Sequence, residues 1–214
     1  MPNRTIVYVD GFNLYYGALK GTPHKWLNLH QLCEFYLKPE YHKIVRINYF
    51  TAKVSGTPDD NEKPQRQMRY IRALRTLPTI EVIDGHFIVE RILLPNADGS
   101  GPVEVINTKE KKSDVNLASL MLWDAHCNNF DTAAIVSGDS DFETPLDMVR
   151  ERFKKQVVVL DPQRSGTPNS PMNRKNIYKP IRAGALAGAQ FPIQLTDAQG
   201  LFAKPQEWFA TSAR

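Results

Sequence analysis

The chain has 214 residues, enough for one large α/β domain or one domain with appendages. It is 42% hydrophobic and 23% charged, which excludes a disordered or fibrous chain. Its formal charge of +4 fits a polyanionic ligand without demanding one. Two isolated cysteines, Cys33 and Cys127, form no CxxC pair or Cys/His cluster, which argues against zinc and suits a reducing compartment. The apolar stretch at the N-terminus is broken by Asp10 and is too short for a signal-peptide core. No apolar run approaches membrane-spanning length. The expected location is the cytoplasm, with no membrane partner.

The β-branched and aromatic run Thr5–Val9 predicts a first strand, ending at the turn signal Asp10-Gly11. Trp26–Leu37 has helical spacing, closed by Pro39. Ile44–Ala52 reads as a strand, Asp60–Leu77 as a helix and Thr79–His86 as a third strand. Two β-rich runs, Phe87–Leu94 and Val103–Asn107, flank a turn-rich segment, predicting a projecting hairpin over about 87–109. Ser113–Asn128 reads as a helix capped by Ser113, and Thr132–Val136 as a fourth strand. A helix over Thr144–Lys154 would place Pro145 at its first position, before a fifth strand at Gln156–Leu160. Strands alternating with helices argue for a parallel sheet covered on both faces. Residues 1–161 are read as one domain and 162–214 as an extension packing on it.

In an open parallel sheet, ligands bind beyond the carboxyl ends of the strands. Asp10 falls where the first strand ends, and Asp139 and Asp141 where the fourth ends, in Ser137-Gly138-Asp139-Ser140-Asp141. Asp114 opens a helix whose following apolar residues would hold it at the sheet's rim. Singly, each acid has a structural role available: a turn residue, a helix-dipole charge or a cap. Jointly they form an all-oxygen set that suits Mg²⁺ or Mn²⁺. Such a site activates water and stabilises a phosphate during in-line displacement.

Three segments carry a resemblance: Val7-Tyr8-Val9-Asp10-Gly11-Phe12-Asn13-Leu14, Lys112-Ser113-Asp114-Val115-Asn116-Leu117-Ala118, and Ile135-Val136-Ser137-Gly138-Asp139-Ser140-Asp141-Phe142. In this order the chain resembles the NYN domain family, PIN-like nucleases that include the LabA-like proteins. The resemblance covers about residues 4–161. It implies a Rossmann-type, three-layer α/β/α sandwich around a mostly parallel sheet. It also implies Mg²⁺- or Mn²⁺-dependent hydrolysis of phosphodiester bonds, usually of RNA. Asp10, Asp114, Asp139 and Asp141 would form the metal site, with Asn13 a polar positioning residue beside it. The chain departs from its relatives at Leu120, where they often carry another acid.

Lys63, Arg66, Arg69, Arg72 and Arg75 recur every three residues, and Arg66, Arg69 and Arg72 share a helix face. Lys111 and Lys112 run into Asp114. These groups could contact phosphates of single-stranded RNA without reading its sequence, although a solvated face also explains the arginine stripe. Tyr15, Tyr16 and Trp26 are read as core or rim residues ahead of base-stacking platforms. A non-enzymatic nucleic-acid-binding or regulatory module with a residual metal site is the alternative, and homo-oligomerisation is left open. A haloacid dehalogenase-type phosphatase would need an acid where Phe12 stands. A dinucleotide-binding oxidoreductase would need GxGxxG after the first strand.

Overall fold

The computed structural model describes residues 1–56, 58–96, 98–111, 113–163 and 175–209, with the side chains of 86–90 and 106–111 set aside. The elements in chain order are β1 (Asn3–Asp10), α1 (Gly11–Leu14), α2 (Leu29–Tyr36), β2 (His42–Thr51), α3 (Lys63–Leu74), β3 (Ile80–Asp84), β4 (His86–Pro95) and β5 (Pro102–Lys111). There follow α4 (Ser113–His126), β6 (Thr132–Val136), α5 (Glu143–Glu151), β7 (Gln156–Asp161), β8 (Ile177–Pro180), α6 (Ala183–Gly188), β9 (Gln194–Asp197) and β10 (Gly200–Ala203).

Six strands form one sheet in the order β3-β2-β1-β6-β7-β8, and every pairing is parallel. The central strands are apolar on both faces because helices cover both. Val7 and Val9 face α2 and α3, whereas Ile6 and Tyr8 face α4 and α5. Strands β4 and β5 form a separate two-stranded antiparallel hairpin, and β9 and β10 a second one. The chain is therefore an α/β protein with a central parallel sheet and an added hairpin.

The described residues beyond 161, chiefly 175–209, are built into this core. Strand β8 is the sheet's edge beside β7. Trp26, fully buried, packs against Phe191, Phe202 and Trp208, with ring centroids 5.8, 6.4 and 6.2 Å away. Its indole N–H donates to the Pro192 carbonyl at 2.8 Å. On the opposite face, Asp124 lies at 2% exposure, accepting from Tyr8 Oη at 2.7 Å, from Asn129 and from the guanidinium of Arg46. Three groups thus meet at one buried charge, satisfying it as burial requires.

Candidate functional site

All six strands run the same way, so their carboxyl ends share one edge. At that edge Asp10 ends β1, in register with Phe50 of β2. Its carboxylate caps α1, accepting from the Asn13 N–H at 3.0 Å. The turn signal at Asp10-Gly11 is thus the start of a helix, which continues as a wider π-helical turn over Tyr15–Leu19. Gly11 is required by close approach: a Cβ there would stand 2.6 Å from Phe50 O and 2.8 Å from Tyr49 Cζ.

Two bridges tie this end of β1 to the loop after β6. The Gly138 N–H donates to Asn13 Oδ1 at 3.0 Å. The Ser137 hydroxyl donates to Asp10 Oδ2 at 3.2 Å and accepts from the Asp139 N–H at 3.1 Å. Asp139 then accepts from the Asp141 N–H at 3.0 Å, capping a 3₁₀ turn, Ser140–Phe142, that leads into α5. The helix begins at Glu143, so Thr144 is its second residue rather than its cap, and Pro145 sits in the first turn without a hydrogen bond to lose. Asp114 lies in the first turn of α4.

Electrostatics register the proximity of these acids. Burial pushes the Asp10 carboxyl above its ordinary range, and the charges of Asp114 and Asp139 push it further, against the hydrogen bonds from Asn13 and Ser137. Asp114 is raised first by burial, then by Asp139 and Asp141. The acids are near enough to repel. Yet among the described residues no three His, Cys, Asp or Glu side chains stand close enough together to hold an ion as they are.

A fifth acid was not foreseen. Asp161 ends β7 at 3% exposure, accepting from Tyr178 Oη at 2.9 Å and from the Gln163 N–H at 2.8 Å. Burial and the Asp161 charge push the Tyr178 phenol up to about 12. Asp161 stands directly under Gly138, where a Cβ would meet its Oδ1 at 2.6 Å. The signal was present in the sequence, since Val157–Asp161 repeats the pattern of β1: an apolar run closing on aspartate.

The basic residues divide. Arg66 pairs with Asp60 and, at 3.4 Å, with Glu207. Arg72 holds Asp197 through two nitrogens, at 2.7 and 2.6 Å, and lies 4.1 Å over the Phe202 ring. Both arginines fasten α3 to other parts of the chain. Arg69 is exposed. The Lys111 side chain and Lys112 lie outside the described residues. Leu120 packs against the core beneath α4.

Beside the acids, at the same edge, a cavity of about 320 Å³ opens between α1, the end of β2, α3 and the chain near Trp208. Its walls are Phe12, Tyr15, Tyr16, Tyr49, Tyr70 and Trp208, with Lys25, Lys63 and Arg66 among its polar groups.

The model of the NYN domain matches residues 4–178. The chain belongs to the NYN domain family. The chain is also 31% identical to the 6-hydroxy-3-succinoylpyridine 3-monooxygenase HspA of Pseudomonas putida (strain DSM 28022 / S16), the match covering 97% of this chain and 76% of that protein. A crystal structure of a protein of unknown function from Vibrio parahaemolyticus RIMD 2210633 has the same fold, with a TM-score of 0.54 at 20% identity over 85% of this chain and 94% of that one. Among the described residues no helix is long and apolar enough to cross a membrane.

Proposed function

We propose that this NYN protein is a metal-dependent nuclease that hydrolyses phosphodiester bonds of single-stranded RNA at the rim formed by Asp10, Asp114, Asp139 and Asp141. The observation that carries this reading is that acids from three separate segments stand together at the carboxyl edge of the sheet, near enough for their neighbours' charges to push the carboxyls of Asp10 and Asp114 upward. Their donor set is all oxygen and fits Mg²⁺ or Mn²⁺. Asp10, Asp114 and Asp139 would hold the ion, with Asp141 at its margin. When bound, the cation would lower the pKa of a water and neutralise charge on the phosphate. Asn13 acts as a positioning residue, fixing Asp10 through its N–H and Gly138 through its Oδ1. Phosphates of the strand would meet Lys111, Lys112 and the exposed Arg69. Arg66 and Arg72 already hold carboxylates and are weaker candidates.

The test is cleavage of end-labelled single-stranded RNA with Mn²⁺, comparing wild type with Asp139→Asn. Cleavage by wild type and its near-complete loss in the variant support the reading. Equal cleavage by both reduces Asp139 to a cap. RNA binding without cleavage would favour the non-enzymatic alternative.

A second reading has its own observation. The relative in Pseudomonas putida is named for oxygenation of a pyridine ring, and this chain has an aromatic-walled cavity beside its acids. Under that reading the chain hydroxylates a small heteroaromatic compound. One oxygen atom of O₂ enters the ring as a hydroxyl group, and a hydride-donating reductant supplied in solution, with one proton from water, reduces the other to water. Mass spectrometry of a pyridine substrate incubated with O₂ and reductant separates this chemistry from RNA cleavage.

A further inference from the structure

We infer that the cavity beside the acid rim is a binding site for a single heteroaromatic ring carrying an anionic group. Its wall chemistry is the first argument. Tyr49 and Tyr70 are almost fully buried at the core side, whereas Tyr16 is 56% exposed on the solvent side. Phe12 stacks on Tyr16, and Tyr15 meets Tyr16 edge-on at 5.2 Å, so the wall itself is pre-packed. Flat aromatic faces favour a flat ligand.

Charge is the second argument. Arg66 is held by Asp60 and Glu207, but Lys25 and Lys63, each partly buried in the lining, enter no ion pair among the described residues. Asp60 already feels the charge of Lys63, but no carboxylate faces Lys25 in this way among the described residues, and an anion on the ligand would compensate Lys25 and add to the field of Lys63. Thr51, also in the lining, accepts from Gln67 Nε2 at 3.3 Å and retains its own hydroxyl proton for a ring nitrogen or oxygen.

Size is the third argument. About 320 Å³ lies at the low end of small-molecule sites, enough for one ring and a short substituent. Position relates the site to the acids. Thr51 follows Phe50, which pairs with Asp10, and neighbouring strands stand about 5 Å apart. A ring in the cavity would therefore lie beside the acid rim, with its anionic group against Lys25 and Lys63. This inference depends on neither reading of the chemistry.

Two sources share this ligand chemistry, a nucleotide of a strand and a free pyridine-type carboxylic acid. The experiment is isothermal titration calorimetry of the full chain, without divalent metal, against uridine 5′-monophosphate, 6-hydroxypyridine-3-carboxylate and succinate. Either ring compound should bind, and succinate, an anion without a ring, should not. Tighter binding of the nucleotide assigns the strand as the source, and tighter binding of the pyridine assigns the free acid. The Lys25→Ala/Lys63→Ala double variant should weaken binding by about tenfold or more. Titration of the wild-type chain followed by NMR should shift the Trp208 indole N–H, a readout that needs no variant. Binding of neither ring compound at millimolar concentration overturns the inference, as does equal binding of succinate or an unmoved Trp208. If a ring binds but no Mn²⁺-dependent cleavage occurs, this site stands and the nuclease reading falls. If cleavage occurs and no ring binds, the reverse holds.

Discussion

Substituting Gly138 with alanine tests how the two strand ends are locked together. The added Cβ would sit 2.6 Å from Asp161 Oδ1 and 2.8 Å from Gln163 Cγ, well inside van der Waals contact. Asp161 cannot swing aside, because Tyr178 Oη and the Gln163 N–H pin its two oxygens. The 137–139 loop must therefore move, stretching the bond from the Gly138 N–H to Asn13 Oδ1. Overpacking of this kind costs about 1–3 kcal/mol, and a lost hydrogen bond about 1 kcal/mol. A combined loss of about 2–4 kcal/mol corresponds to roughly 4–16 °C in melting temperature for a domain of this size. Differential scanning calorimetry reads it directly. Gly184→Ala in α6 is the control: a Cβ there meets nothing within 4 Å, so it should be neutral or slightly stabilising. A Gly138→Ala protein melting within a degree of wild type would refute the close packing of this loop on Asp161.

Four further outcomes follow from other contacts. Tyr8→Phe removes a donor to the buried Asp124 charge and should lower stability by about 1.5–3 kcal/mol in urea unfolding; an unchanged midpoint would mean Arg46 and Asn129 suffice. Phe202→Ala opens the packing over Trp26 and should cost about 3–5 kcal/mol in one cooperative transition, whereas a wild-type melt would mean the final segment is peripheral. Arg4 holds the Asp131 carboxyl down to about 2, so that pair stabilises above the unfolded value near 3.9 and its contribution fades as pH falls from about 5 toward 2. Asp131→Asn should thus lower the melting temperature at pH 7 by a few degrees at most, the pair being half-exposed, and not at pH 2; a deficit independent of pH would contradict this. Asp139→Asn keeps an oxygen to accept from the Asp141 N–H and removes one repelling charge, so without metal it should melt no lower than wild type at pH 7; a marked drop would make Asp139 chiefly structural.

The parts of the fold that were legible were those where a single force decides. Thr5–Val9, Thr132–Val136 and Gln156–Leu160 are runs too apolar for anything but a strand covered on both faces, and they are strands β1, β6 and β7. Asp10 was legible for the same reason, since it closes such a run, whereas Asp161, which closes β7 in the same way, was passed over. The segment after Asp10 was not legible, because Gly11 argues against a helix while close packing on Tyr49 and Phe50 demands it there. The start of α5 was displaced because Asp139 caps a 3₁₀ turn ahead of it, a two-step entry that periodicity does not reveal. Helix α2 starts three residues late because Asn28 caps it, accepting from the Gln31 N–H at 3.1 Å, while Trp26 ahead of it serves the core. The arginine stripe was read as one face, but the partners of Arg66 and Arg72 lie 141 and 125 residues away in Glu207 and Asp197. The cavity was invisible for the same reason, since its walls come from four distant stretches of chain.

The most direct test of the metal-dependent reading is a crystal of the protein soaked in Mn²⁺ and measured for anomalous scattering. The account predicts a peak bound by Asp10, Asp114 and Asp139, with the three carboxylates drawn together relative to metal-free crystals. No peak at that rim under saturating Mn²⁺, with the acids fully accessible to solvent, would contradict it.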